Sequence, residues 1–163
     1  MQIYLLRHGI AEDDRPGMPD ADRALTEEGR KKLFRVLKTA RSAGVRPDLV
    51  LTSPFKRAVE TATIAAEALG CGEAPVPCPE LTPGGEPEEV WSEIRNHRGC
   101  AQILLASHEP LTGYLAAYLV GGPQGMIHVK KGSIIRIDVE ALGMRPRGIL
   151  VWILTPKLAE AVE

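Results

Sequence analysis

Three short apolar runs end abruptly in polar, chemically capable residues, and they set the frame of this chain. Ile3-Tyr4-Leu5-Leu6 stops at Arg7-His8-Gly9, Leu49-Val50-Leu51-Thr52 at Ser53-Pro54, and Gln102-Ile103-Leu104-Leu105-Ala106 at Ser107-His108-Glu109. Runs this short, with β-branched and aromatic content and a polar stop, read as buried strands. Between them, apolar residues recur at helical spacing. Thr26 followed by Glu27 and Glu28 is a helix start, a hydroxyl cap with acids where the helix dipole favours them. Leu33, Val36, Leu37 and Ala40 give that helix its apolar face and Gly44 its stop, which predicts a helix over 26–43.

The second helix is expected to begin at Ser53-Pro54, since Ser is a preferred cap and Pro a preferred first residue. It carries Ala58, Thr61, Ala62, Ala65 and Leu69, and ends at Gly70. That places Arg57 about one turn inside the helix and Ser53 at the end that attracts anions. A third helix opens at Pro87, buries Val90, Trp91 and Ile94 and ends at Gly99. A fourth opens at Pro110, carries Leu111, Tyr114, Leu115, Tyr118 and Leu119 as core, and ends at Gly121-Gly122. Residues 71–85 read as an irregular loop with a short strand at Val76. Residues 133–139 and 149–154 flank a Gly- and Pro-containing turn as a β-hairpin at a sheet edge, and 157–163 form a frayed terminal helix.

Strands alternating with helices predict an α/β fold, a three-layer α/β/α arrangement with a mostly parallel central sheet, helices on both faces and an antiparallel edge. The carboxyl ends of the parallel strands then share one edge, where open α/β sheets do their chemistry. His8, Ser53 with Arg57 behind it, and His108 all fall on that edge. Each has a plain alternative on its own: a solvated histidine on a loop, or a surface arginine pairing with Glu60.

Composition narrows the classes of function. With 163 residues the chain suits one domain, 1–163, that buries its own core without staples. Lys plus Arg at 20 against Asp plus Glu at 21 provides no global field for nucleic acid or a membrane surface, so anion binding has to be local. Cys71, Cys78 and Cys100 are odd in number and lack zinc-type spacing, which fits reduced thiols in a cytoplasmic protein. The first apolar run is too short for an export signal, and no segment is long enough to span a bilayer. His97 and His128 have no partner at metal-ligand spacing, and the glycines at 121–125 lack the Lys and Ser/Thr of a nucleotide-binding loop.

Two histidines and two arginines make a poor core, because clustered positive charge in low dielectric is costly without an anion. Phosphate is the fitting partner: guanidinium forks match its oxygens, and a neutral imidazole is a competent nucleophile near neutral pH.

The residues in order also resemble a known family. Arg7-His8-Gly9, Leu25-Thr26-Glu27-Glu28-Gly29, Ser53-Pro54-Phe55-Lys56-Arg57-Ala58 with Thr61-Ala62, and Ser107-His108 are similar to the motifs of the histidine phosphatase superfamily, the phosphoglycerate mutase-like fold. Over residues 3 to about 120 their order and spacing most resemble its short bacterial branch, the SixA-type phosphohistidine phosphatases. The resemblance implies that His8 is the phosphorylated nucleophile and that Arg7, Arg57 and His108 bind the phosphoryl group, with Ser53 beside it. It also implies a proton donor near Glu80, where the match is loose, while Glu109 reads as a wall or hydrogen-bonding residue. Ile10-Ala11 stand where mutase-type members carry a longer polar signature, and the chain has no room for their large helical insertion. The expectation is a cofactor-free and metal-free phosphatase acting on phosphohistidine of a signalling or phosphotransfer protein, with phosphate, sulfate or vanadate as site ligands. The alternatives are the same chemistry on a small phosphomonoester, and a phosphate- or phosphoprotein-binding module without turnover.

Overall fold

The computed structural model describes residues 1–162. Strand β1 (Gln2–Arg7) is followed by α1 (Glu27–Ser42), β2 (Leu49–Thr52), α2 (Lys56–Leu69), the two-residue β3 (Val76–Pro77) and α3 (Pro87–Arg95). Then come β4 (Gln102–Ser107), α4 (Leu111–Leu119), β5 (Ile134–Val139), β6 (Gly148–Leu154) and α5 (Pro156–Ala161), with 3-10 turns at Asp20–Asp22 and Pro79–Leu81. The six strands form one sheet in the order β3-β2-β4-β1-β5-β6. Strands β1 to β4 pair in parallel, and β5 runs antiparallel to both β1 and β6, so the hairpin sits on the sheet edge as its turn predicts.

Successive residues of a strand point to opposite faces, and here both faces are apolar because both are covered. Ile3 and Leu5 of β1 join Ile103, Leu105, Val90, Trp91, Ile94, Leu111 and Leu115 in a core under α3 and α4. Tyr4 and Leu6 join Leu104, Ala106, Leu33, Leu37, Ala62 and Leu69 in a second core under α1, α2 and α5. The caps follow the sequence closely. Thr26 Oγ1 accepts from Gly29 N at 3.0 Å, and Gly44 and Gly70 close their helices with φ of 89° and 74°, a region costly for residues with a Cβ.

Several boundaries differ from expectation, and α4 begins at Leu111 with Pro110 as its cap residue. α2 starts at Lys56 with Phe55 as its cap residue, not at Ser53-Pro54. Phe55 is extended, with ψ of 136°, and the Ser53 hydroxyl is taken up by Phe55 N two residues on and by His108 across the fold, so the helix begins two residues late and Arg57 is its second residue. α3 ends at Arg95, with Asn96 as its cap and turns carrying the chain to Gly99. The last helix begins at Pro156, one residue early, because Thr155 Oγ1 accepts from Leu158 N at 3.2 Å. Glu163, the last residue of the expected tail helix, lies outside the described residues. The loop between α2 and α3 is as irregular as predicted, with β3 at Val76, and Tyr114 and Tyr118 on α4 are only half-buried.

Candidate active site

β1 and β4 run side by side, with Arg7 opposite Ser107, so the residues that follow them emerge together at the carboxyl edge of the sheet. His8 N donates to Ser107 O at 2.9 Å, and Gly132 N reaches both Arg7 O and His8 O, which clamps the backbone beneath the two side chains. The rings of His8 and His108 lie 5.1 Å apart. β2, the next strand along, delivers Ser53, and the first turn of α2 delivers Arg57. His8 (6% exposed), Arg57 (4%), Ser53 (0%) and His108 (1%) are all withdrawn from solvent, which makes their mutual contacts strong and their charges expensive.

Hydrogen bonds set the state of each ring. Gly9 O can only accept, and it lies 2.7 Å from His8 Nδ1, so Nδ1 carries the proton and the lone pair is on Nε2. Arg57 Nε donates to that lone pair at 3.3 Å. Burial, followed by the fields of Arg57, Arg7 and Lys131, outweighs the support from Gly9 O and pushes the His8 pKa down to about 4. His8 is therefore a neutral imidazole at pH 7. His108 is pushed down to about 3, by burial first and then by His8 and Arg57.

His108 Nε2 lies 2.8 Å from Ser53 Oγ. That oxygen also accepts from Phe55 N at 3.3 Å, and its second lone pair and its proton both remain available to the ring. Nδ1 of His108 is buried and has no hydrogen-bond partner, and the same is true of Arg7 Nε. Two unpaired buried nitrogens at a cationic site, one of them a guanidinium N–H, signal a missing partner, since native proteins rarely leave such groups unpaired.

Arg7 is anchored by Nη1, which donates to Val129 O at 2.7 Å, and burial lowers its pKa from the usual guanidinium value. Arg57 is held from the far side by Asp20, through the backbone oxygen at 2.7 Å and Oδ2 at 3.0 Å. Phe55 closes the wall, edge-on to His108 at 5.2 Å and with the Arg57 guanidinium 5.2 Å from its ring centre. The sum is a buried cationic cluster with a nucleophilic nitrogen and an unmatched guanidinium N–H, the chemical complement of a phosphoryl group.

The model of the Histidine phosphatase superfamily (branch 1) matches residues 3–82. The phosphohistidine phosphatase SixA of Escherichia coli (strain K12) is 30% identical over 167 residues, covering 99% of this chain and 100% of that one. The chain belongs to the histidine phosphatase superfamily. It is a hydrolase of the phosphatase type. A SixA homolog of Haemophilus influenzae (strain ATCC 51907 / DSM 11121 / KW20 / Rd) is 34% identical over 132 residues, or 74% of this chain and 78% of that one. Among solved structures, the protein histidine phosphatase SixA complexed with tungstate superposes with a TM-score of 0.83 at 29% identity, covering 96% of this chain and 98% of that one.

The edge of this histidine phosphatase collects Arg7, His8, Ser53, Arg57 and His108 from positions a hundred residues apart. Glu80 is placed differently. Its Oε2 accepts from the Cys78 thiol at 3.2 Å, and its side chain lines a shallow groove with Glu88 and Glu89 of α3. The pairing, with burial as the larger cause, pushes the Cys78 pKa up to about 12. Glu109 is a structural acceptor, taking Gly113 N at 2.7 Å. Cys71, Cys78 and Cys100 are free thiols. Among the described residues, no cluster of three or more His, Cys, Asp or Glu could hold a metal, and no helix is long and apolar enough to cross a membrane.

Sequence reasoning missed Asp20, to which it gave no role, and Phe55, which it treated as part of a motif string. Asp20 carries no distinguishing local pattern in its polar loop. Phe55 did have a signal: an aromatic residue two positions before a buried arginine.

Proposed function

We propose that this phosphatase works through a phosphohistidine intermediate on His8 and that its substrate is phosphohistidine on a signalling or phosphotransfer protein. The observation that carries the reading is the tautomer of His8, whose Nδ1 proton is tied to Gly9 O and whose lone pair therefore sits on Nε2, where the arriving phosphoryl group takes the place of the 3.3 Å contact from Arg57 Nε. In the first step Nε2 forms a bond to phosphorus while the P–N bond to the substrate imidazole breaks, and that imidazole leaves as a protonated or readily protonated base. In the second step water attacks phosphorus, the bond to Nε2 breaks, and inorganic phosphate and neutral His8 are regenerated.

Arg7, Arg57 and the Nδ1–H of His108 are assigned to the equatorial oxygens, whose charge shifts in a loose transition state. Ser53 acts one step back, by holding the His108 ring. Arg57 turns its Nε to His8 and its terminal nitrogens to Asp20, so the phosphoryl group approaches a guanidinium already locked in place. Asp20 is held ionised, its pKa lowered first by Arg23 and then by Arg57, which suits an anchor and not an acid. Imidazole is a good leaving group, so the reading does not require Glu80 as a proton donor. The relatives named as phosphohistidine phosphatases and the tungstate complex, an oxyanion bound by a protein of the same fold, support this substrate class.

The test is to mix the protein with a peptide carrying labelled phosphohistidine, quench within milliseconds and map the label. An acid-labile, base-stable phosphoryl group on His8, absent from His8→Ala, is the expected result. A higher specificity constant on a panel of small phosphomonoesters than on the phosphohistidine peptide would overturn the substrate assignment. Label on any other residue would overturn the mechanism.

A further inference from the structure

Alongside the phosphoryl site runs an open groove of about 960 Å³ whose walls are strongly basic. Arg7 and Ile10 form its inner wall, Lys32 comes from α1, Lys130 and Lys131 from the loop before β5, and Lys157 from α5. The chain as a whole carries a net charge of only −1, so this is a local concentration of charge and not a reflection of composition. One acid lies among the lining residues, Glu160, and it pairs with Arg35 at 3.6 Å. Lys32 pairs with Glu28 at 2.7 Å. Among the described residues, Lys130, Lys131 and Lys157 have no carboxylate partner, and all three are exposed.

We propose that this groove docks an acidic face of the substrate protein, seating it so that its phosphorylated side chain enters the hollow at His8. The inference rests on the phosphohistidine reading above. Continuity with the site is its first support. Arg7 belongs to both, and Gly132, next to Lys131, donates its N–H to Arg7 O and His8 O, so the basic loop is fastened to the catalytic backbone.

The kind of cation present is the second support. Small-molecule pockets fix their ligands with a few precisely placed polar groups, whereas the unpaired charges here are lysines on flexible stems, spread over two separate segments of chain. Such charges steer and orient a large partner of opposite sign more than they grip a single anionic group. Ile10 and Pro156 supply apolar surface between them, as in a protein interface with a charged rim.

The experiment compares the full-length protein with a Lys130→Glu/Lys157→Glu double variant on two substrates: a histidine-phosphorylated protein of strongly acidic surface, and p-nitrophenyl phosphate, which engages the phosphoryl site alone. The wild type is expected to lose about tenfold in kcat/KM on the protein between about 20 and 300 mM salt, as screening shortens the reach of surface charge. The double variant is expected to start about tenfold lower at low salt, through KM, with a nearly flat salt dependence. Its p-nitrophenyl phosphate turnover should stay within about twofold of wild type, which also reports an intact fold.

Equal kcat/KM of the two proteins on the phosphorylated protein would overturn the docking proposal while leaving the function standing. A wild type that turns over p-nitrophenyl phosphate but not the phosphorylated protein would instead overturn the functional reading, and the docking proposal with it.

Discussion

Ser53 Oγ and His108 Nε2 meet at 2.8 Å across 55 positions of sequence, and this contact holds the buried ring of His108 in place. In the tautomer that the proposed role of His108 requires, the hydroxyl donates to Nε2 and the Nδ1–H, buried without a partner in the resting protein, is kept for the phosphoryl group. Ser53→Ala removes the hydroxyl that donates in this tautomer and leaves a buried ring nitrogen unpaired, at a cost of about 1–3 kcal/mol. The expected outcome is a folded protein with turnover reduced about tenfold or more, mainly in kcat. Nitrogen chemical shifts of His108 should show a mixture of tautomers. A kcat equal to wild type with a single unchanged tautomer would show that Ser53 does not position the ring.

Arg57 supports three partners at once: the His8 lone pair, the Asp20 backbone oxygen and the Asp20 carboxylate. Arg57→Ala is expected to lower kcat/KM by two to three orders of magnitude, or about 3–4 kcal/mol, as for other groups that stabilise transition-state charge. Arg57→Lys should recover little of this, since one ammonium cannot reproduce a fork held in three directions. Steady-state kinetics on p-nitrophenyl phosphate and phosphohistidine decide the point, and near-normal activity of either variant would refute the assignment.

The two buried histidines make a directional statement about stability and pH. Their folded pKa values, about 4 for His8 and about 3 for His108, lie below the ordinary value of 6.5. Above pH 6.5 both rings are neutral whether the chain is folded or not. As pH falls below 6.5 the unfolded chain takes up protons that the folded one refuses, so stability declines down to about pH 4 for His8 and about pH 3 for His108. The slope approaches about 1.4 kcal/mol per pH unit for each ring. Urea unfolding of wild type and His8→Gln between pH 7 and 4.5 measures it: the variant should lose less stability over that range. Parallel curves would show that burial leaves His8 unperturbed.

Gly29 occupies the first turn of α1, where alanine is ordinarily the better helix former by about 1 kcal/mol. Here a Cβ would stand 2.2 Å from Ile10 O and 2.9 Å from Ile10 N, both backbone atoms just past His8. Gly29→Ala is therefore expected to reverse the usual sign, destabilising the protein by more than about 2 kcal/mol and lowering kcat by displacing the Gly9–Ile10 segment. A melting temperature unchanged or raised would show that the backbone yields without cost.

Local rules were enough for much of this molecule. The strand cores, the Thr26 cap, the glycine stops at Gly44 and Gly70 and the hairpin at 133–154 all depend on spacing between near neighbours or on a single residue's backbone preference, and those operate within a few residues. The alternation of strands and helices then implied which strand ends share an edge, and so which polar residues gather there. The start of α2 escaped the same rules because Ser53, an ideal cap by type, has a stronger claim on it from His108, which only the folded chain brings within reach.

Asp20 behind Arg57, Phe55 against His108 and the basic groove beside Arg7 are likewise products of tertiary structure. Each joins segments whose separation in sequence carries no periodic mark. The near neighbours of His8 in the chain select its tautomer, through Gly9. Its depressed pKa comes from burial and from charges that the fold carries to it from Arg57 and Lys131.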